Sequence, residues 1–385
     1  MNALAWLDQL QGSGIRPGLG RMRTLLRALG DPHRQLPAII VAGTNGKGST
    51  SAMLASILTA SGKRTGHYTS PHLVDLRERW TIDGTWIEPA LLDECIVAMQ
   101  GAASRTGIVP TYFEALTLIA FIAFPRAACD VAVLEAGMGG RLDATNVVRP
   151  IASVITPIGM DHMEYLGTTL RAIAAEKAGV IHRGAIVLTT NDDPVVLDVL
   201  RKRAAQFGAA LIEVTEEHDT PLPGAFQRRN AALAVRTARA LGIPETAIAE
   251  GVRNTRWRGR LEHLRFGQKD IWIDGGHNAH AIAQTAPYFD ANVPRPRLLV
   301  FGMMSDKDVA PVVARLFPLF DRVIATEPYP PRSVKATAFA GATPIADPDD
   351  AFRAALASPE PSIVITGSLY LAGAAIAFFD KIARP

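Results

Sequence analysis

Cysteine is nearly missing from this chain: two residues in 385, Cys95 and Cys129, with no paired spacing that would hold zinc or build a disulfide framework. Both lie in apolar stretches and read as buried reduced thiols, which suits a reducing compartment. Charge of one sign is scarce too. Forty Lys and Arg against 37 Asp and Glu leave a formal +3, spread along the chain, too little for a polyanion-binding surface. An anionic small ligand stays open, because its site needs only a few local cations. Long apolar runs are also wanting. Residues 115–125 are too few for a bilayer, and 363–379 contains Thr366, Gly367, Ser368 and Tyr370, so it reads as a buried strand, a tight turn and a helix. The start, MNALAWLDQL, has no basic stretch and meets Asp8 early, unlike a signal peptide. With no long apolar heptads either, the expectation is a cytoplasmic monomer without nucleic-acid or membrane partners.

Apolar residues make up 48% and charged residues 20%, which excludes wholesale disorder. Strand-like apolar runs alternate with helix-length segments, the pattern of a parallel sheet covered by helices. Strands are expected at 38–42, 131–135, 152–156 and 185–188, and helices at about 50–60, 168–181, 194–206 and 229–241. The proline-rich stretch 216–223 reads as a loop inside the first domain. After the Arg-rich segment 257–266, fresh strand–helix units begin at 271–274 and continue at 297–301, 322–326 and 362–366. These make roughly 120 residues of a second α/β domain, a normal domain size.

The sharpest local signal is Gly43-Thr44-Asn45-Gly46-Lys47-Gly48-Ser49, placed after a strand and opening a helix. Glycines let backbone N–H groups turn toward phosphate oxygens, and the helix N-terminus adds positive potential. Lys47 can reach the β- and γ-phosphates, and the Ser49 hydroxyl can sit near Mg²⁺. The usual pattern wants Gly and Ser/Thr where this chain has Val41 and Gly48, so the loop is a variant. A glycine-rich turn with no ligand is the plainer alternative.

With the motifs that follow it, this loop resembles the folylpolyglutamate synthase/dihydrofolate synthase family of the Mur ligase superfamily. The likeness runs through GTNGKGS (43–49), TSPHL (69–73), TYFEALT (111–117), LEAGMGGRLDATN (134–146) and ITPIGMDHMEYLG (155–167). It continues through AAEKAGVI (174–181), RRNAALA (228–234), GRLE (259–262), DGGHNAHA (274–281) and TGSLYLAG (366–373). The resemblance implies an α/β fold: a parallel-sheet, P-loop ATPase-like N-terminal domain (1–264), then a smaller Rossmann-like C-terminal domain (265–385). It implies ATP-driven amide formation, in which a substrate carboxylate is phosphorylated and the acyl phosphate is attacked by the amine of L-glutamate. The acid would be dihydropteroate or a folate.

By that resemblance Thr44, Asn45, Gly46, Lys47, Gly48 and Ser49 hold ATP, joined by Asn230 near adenine, Arg260 at the phosphates, and Asp274 and His277 from the second domain. Ser49, Ser70, Glu135 and His162 are the implied ligands of Mg²⁺ or Mn²⁺, an oxygen-rich set that suits a hard cation better than zinc. Lys47, Lys177, His162 and Arg260 are the implied catalytic groups. Lys177 stands where the family carries a carboxylated lysine; a desolvated amine can add CO₂, and the carbamate can orient metal ions. Its plain alternative is an exposed helical lysine. Glu135 can instead be a structural ion-pair partner, His162 a core histidine, Arg260 a solvated linker arginine, and His277 a turn cap. The implied pteroate contacts are Thr111, Tyr112, Phe113 and Glu114, with Leu142, Asp143 and Ala144. Tyr112 and Phe113 can stack on a flat ring or simply belong to the core, and Asp143 can accept from a ring or hold its own turn. Gly20, Ser305 and the short 214–223 segment depart from the family pattern. A related ligase for another acid, or a nucleotide switch or kinase without ligase chemistry, competes with this reading.

Overall fold

In a computed structural model of the chain, residues 3–329 and 331–383 are described. Two compact units emerge. The first comprises Met1–Ser70, Arg77–Pro221 and Arg229–Thr255; the second comprises Pro71–Leu76, Leu222–Arg228 and Arg256–Pro385. The main division therefore falls at Thr255–Arg256, upstream of the expected 264/265. The reason is that Glu262–Phe266 hydrogen-bonds to Lys269–Ile273 along its whole length and belongs to the second sheet. The loop expected at 216–223 is irregular, but its end from Leu222 clusters with the second unit rather than the first.

Among the described residues the first unit carries an eight-stranded sheet. Its strands are β1 (Ala38–Ala42), β2 (Thr65–Tyr68), β3 (Trp80–Ile82), β4 (Thr85–Trp86), β5 (Val131–Glu135), β6 (Ala152–Ile155), β7 (Ile186–Thr189) and β8 (Ala210–Glu213). The order is β4-β3-β2-β5-β1-β6-β7-β8. The pairings β2–β5, β5–β1, β1–β6, β6–β7 and β7–β8 are parallel, and β3 and β4 add an antiparallel edge. Strand β1, AIIVA, is buried throughout, as a central strand covered on both faces must be.

Helix α1 (Lys47–Ala60) follows β1 and is buried on nearly every side. Helix α2 (Tyr112–Arg126) opens with a capping box between Thr111 and Glu114 and buries every residue from Glu114 to Phe124. Helix α3 (Leu170–Ala178) is capped by the Thr169 side chain. Helices α4 (Ala225–Ala240) and α5 (Glu245–Asn254) complete the set needed below. Helix α5 lies against α1 at Gly251, where a Cβ would stand 2.3 Å from the Ile57 Cα. Only glycine permits that approach. Of the two thiols, Cys95 is buried, but Cys129 is only half-buried in the turn before β5, a correction to the expectation that both would be buried. Burial pushes Cys95 up to about 12 and Cys129 up to about 11.

The second unit's sheet comprises β9 (Glu262–Phe266), β10 (Lys269–Ile273), β11 (Arg297–Phe301), β12 (Arg322–Ala325), β13 (Thr343–Pro344) and β14 (Ser362–Thr366), ordered β13-β12-β11-β14-β10-β9. All pairs but β9–β10 are parallel. Alternation along the strands splits the core into two layers. Leu299, Phe301 and Val364 face one way, with Phe289 of α6 (Ala279–Asn292). Leu298, Val300 and Ile365 face the other, with Ile376 of α7 (Leu369–Ile382). The run 363–379 is thus strand, turn and helix. No helix among the described residues is long and apolar enough to cross a membrane.

Candidate active site

The site is built at the C-terminal end of β1, where the chain turns through residues 43–46 into α1. Gly43 (φ 147°) and Gly46 (φ 86°) hold backbone conformations that side chains resist. A Cβ on Gly43 would meet Thr156 Oγ1 at 1.9 Å, and one on Gly46 would meet Asn230 Oδ1 at 2.5 Å. Asn230 on α4, expected at the adenine side, is therefore packed on the loop itself. The loop is tied to the end of β6: Thr44 and Asn45 donate their N–H groups to the Pro157 carbonyl at 3.0 and 3.3 Å. The Thr44 hydroxyl donates to the Gly159 carbonyl at 3.0 Å.

Two lysines converge on this turn. Lys47 Nζ donates to the carbonyls of Gly43 (3.1 Å) and Thr44 (3.0 Å). Lys177 Nζ, on α3 and 3% exposed, donates to the same Gly43 carbonyl at 2.7 Å. Lys177 is thus buried at the loop and is not a solvated helical lysine. Its neighbour Glu176 pairs with Arg141 at 2.8 Å, and the Arg141 N–H donates to the Glu176 carbonyl. Asn146 Nδ2 donates to the Arg141 and Gly179 carbonyls, so residues 140–146 form a bracket around the end of α3.

Glu135 ends β5 beside β1 and is 4% exposed. It accepts the Ser70 N–H at 3.3 Å, which brings those two anticipated metal residues together. His162 takes a left-handed conformation (φ 50°) as the residue before the short helix Met163–Leu166, and its N–H donates to Asp161. Its carbonyl accepts from Tyr165 and Leu166. Among the described residues no three His, Cys, Asp or Glu side chains are grouped to hold a metal by themselves.

The residues expected at the acid substrate have structural duties. Thr111 and Glu114 exchange capping hydrogen bonds, Thr111 N–H to Glu114 Oε2 at 2.8 Å and Glu114 N–H to Thr111 Oγ1 at 3.3 Å. Buried Glu114 also pairs with Arg21 at 2.9 Å. The Tyr112 N–H donates to Ser13, and Phe113 packs on Tyr68 with ring centroids 6.4 Å apart. Asp143 accepts from the Met138 N–H and from the Thr145 N–H and hydroxyl. Burial raises its carboxyl's affinity for a proton, and these donors oppose the rise. Asp143 thus holds its own turn, with Leu142 half-buried and Ala144 buried beside it.

In the second unit, buried Asp274 accepts from the Leu261 N–H (3.1 Å) and the Gly276 N–H (2.7 Å). Burial pushes its carboxyl up, and the charge of nearby Arg260 pulls it back. Arg260 donates to the Gly259 carbonyl. His277 Nδ1 lies 2.9 Å from the Gly275 carbonyl, which fixes Nδ1 as the donor. Asn278 caps α6 through the Ala281 N–H. Sequence reasoning passed over three side chains of the first unit: Arg21, Ser51 and His67. His67 is the visible signal, a lone imidazole in the buried strand β2.

Residues 41–220 match the family model for the Mur ligase middle domain, and residues 259–369 match that for the Mur ligase glutamate ligase domain. The chain is similar to the dihydrofolate synthase/folylpolyglutamate synthase of Bacillus subtilis, 32% identical over 415 residues, covering 96% of each protein. It is 38% identical over 373 residues to a probable bifunctional folylpolyglutamate synthase/dihydropteroate synthase of Halobacterium salinarum; that alignment covers 88% of this chain but only 45% of the relative. Its structure resembles that of E. coli FolC in complex with DHPP and ADP, with a TM-score of 0.91 at 30% identity over 99% of this chain and 98% of that one.

Proposed function

Because this chain belongs to the folylpolyglutamate synthase/dihydrofolate synthase family of Mur ligases, we propose that it is an ATP-dependent ligase that joins L-glutamate to dihydropteroate and to the γ-carboxylate of a folate. The observation that carries this reading is the phosphate loop, with Lys47 and buried Lys177 both held on the Gly43 carbonyl at the mouth of α1. The solved relative that binds ADP together with DHPP supports it.

A carboxylate oxygen of the acid attacks the γ-phosphorus, the bond to ADP breaks, and an acyl phosphate forms. The glutamate nitrogen, having lost one proton, then attacks the acyl carbon; the carbon–oxygen bond to phosphate breaks, and the nitrogen's second proton goes with the departing phosphate. Two anions must meet in the first step, so the barrier falls when fixed positive groups neutralise the developing charge. Lys47 is proposed to do this at the β- and γ-phosphates, and the loop N–H groups to cradle the phosphates from the α1 end. Serine hydroxyls and a carboxylate fit a hard cation that also accepts phosphate oxygens; Ser49, Ser70, Glu135 and His162 would hold Mg²⁺ or Mn²⁺, which when bound adds neutralising charge. Asn230, touching the loop at Gly46, is proposed as a nucleotide contact, with Arg260, Asp274 and His277 contributing from the second unit's sequence.

Lys177 is proposed to carry a carbamate: its neutral amine forms a bond to the carbon of CO₂ and releases one proton. Burial beside the loop supports this, since a desolvated amine gives up its proton more readily. Among the acid-substrate residues, Phe113 and Tyr112 at the start of α2 remain the proposed ring-facing pair, while Thr111, Glu114 and Asp143, with Leu142 and Ala144, shape the walls. The test is a substrate panel of dihydropteroate, tetrahydrofolate and a muramyl peptide, each with ATP, Mg²⁺ and labelled glutamate. Glutamate-dependent ADP release with the first two acids alone is expected; turnover with the muramyl peptide only would overturn the folate reading.

A further inference from the structure

We propose that His67 is a positioning residue for the phosphate loop, acting through Ser51 to hold the first turn of α1 in the shape that receives nucleotide. The proposal rests on the nucleotide-binding role given to that loop above.

The start of α1 is KGSTS, a poor helix opening. Glycine at 48 loses more backbone freedom on ordering than alanine would, by roughly 1 kcal/mol. The hydroxyls of Ser49, Thr50 and Ser51 can compete for backbone groups. The residue before the helix is Gly46, so among the described residues no side chain caps it. This suits a helix end whose N–H groups are directed at phosphate, but it leaves the turn weakly fixed by its own sequence.

The restraint comes from the neighbouring strand. Ser51 Oγ donates to the Gly48 carbonyl at 3.0 Å, within the first turn. The same oxygen lies 3.0 Å from His67 Nε2 on β2. Since the hydroxyl proton is committed to Gly48, the imidazole must donate, which sets the tautomer as Nε2–H. His67 is 5% exposed, and burial holds its pKa down to about 3, so the ring is a neutral donor across the working pH range. The chain His67–Ser51–Gly48 thus links β2 to the glycine of the phosphate turn. Strand β2 leads within two residues to Ser70, whose N–H is held by Glu135. One imidazole therefore fixes the spacing between the loop's helix and the Ser70–Glu135 contact.

The experiment is calorimetric titration of ADP into the full chain and the variants H67L, H67Q, S51A and H67L/S51A, beside thermal melts and initial rates. H67L and S51A should each weaken ADP binding by about 5- to 20-fold, the loss of one buried hydrogen bond. The double variant should be no weaker than the poorer single, since both break one chain. H67Q, which presents an N–H donor at similar reach, should return to within about threefold of wild type. Folded H67L or S51A that binds ADP like wild type overturns the proposal, as do multiplying defects in the double variant or a glutamine no better than leucine. S51A removes one oxygen and keeps the test alive if H67L fails to fold. Wild type that binds no ADP overturns the nucleotide role of the loop as well, whereas binding by wild type with unaffected variants overturns this proposal alone.

Discussion

Lys47 and Lys177 donate to one oxygen, the Gly43 carbonyl, at 3.1 and 2.7 Å. Each side-chain nitrogen is therefore already at the loop it is proposed to serve, and replacing one differs in consequence from replacing the other. Lys47→Ala removes a half-buried charge from a turn that Pro157 and Gly159 still anchor. Ligase turnover should fall by at least about 10²-fold, as when a charge-stabilising donor is lost, with the melting temperature little changed. Near wild-type turnover in a well-folded variant would remove the loop from the chemistry. For Lys177, intact-mass or crystallographic analysis at mildly basic pH should show added CO₂. Lys177→Ala should lose activity that short carboxylates partly restore by filling the vacated place. An unmodified amine in a nucleotide-bound crystal would end the carbamate idea. Of these residues the sequence made Lys47 plain through its spacing from Gly43. For Lys177 the family likeness points to a desolvated, carboxylated lysine over a solvated one, but no local pattern shows its burial, which depends on the bracket that residues 140–146 build around α3.

Elements with one unbroken apolar run came out at their expected bounds: Val131–Glu135, Arg297–Phe301 and Ser362–Thr366. Those with mixed chemistry did not. Thr65–Tyr68, reading TGHY, carries a glycine and a histidine and escaped notice, yet it is buried throughout. Glu262–Phe266, reading EHLRF, sends alternate residues outward and reads in sequence as the end of the Arg-rich boundary segment rather than as a strand. Helix α1 begins at Lys47 rather than near residue 50, because Gly48 and three hydroxyl residues disguise its first turn. The Arg21–Glu114 pair, 93 residues apart in sequence, has no local signature at all. Close helix contact is equally silent in sequence until a glycine is tested. Gly251→Ala should destabilise the first unit by about 1–3 kcal/mol, since its methyl would press on the Ile57 backbone with no flexible side chain to yield. Denaturant unfolding checks this; an unchanged midpoint would mean that α5 shifts freely on α1.

Across the whole chain, stability should respond to acid through imidazoles that burial disfavours as cations. His33, His67 and His182 are all pushed down by burial, His67 to about 3. An unfolded histidine takes up a proton near pH 6.5, so below that pH the unfolded state binds more protons than the folded one. Stability is thus full above about pH 6.5 and falls toward pH 3, by about 1.4 kcal/mol per pH unit for His67 alone. Asp143 and Asp274, pushed up by burial, act with the opposite sign: their contribution is present below the ordinary carboxyl pKa and is lost as pH rises through the folded value. Thermal melts between pH 6 and 4 should show a shallower decline for H67Q than for wild type, and equal slopes would contradict a neutral buried ring. Arg260, beside Asp274, is proposed to serve the phosphoryl chemistry. Arg260→Ala should slow a single turnover by about 10²–10³ with a smaller effect on ADP affinity, and unchanged turnover would return it to a linker role. The sheet order has a last consequence, one of timing. Strand β1 is made early, but its partners are β5 and β6, with Val41 set between Glu135 and Val154. A chain emerging from the ribosome therefore carries its nucleotide turn unseated until about a hundred further residues have followed, and such long-range pairing is slow to form. Competence to bind nucleotide should thus lag well behind the synthesis of the loop itself, and would serve as a clock for the first unit's folding.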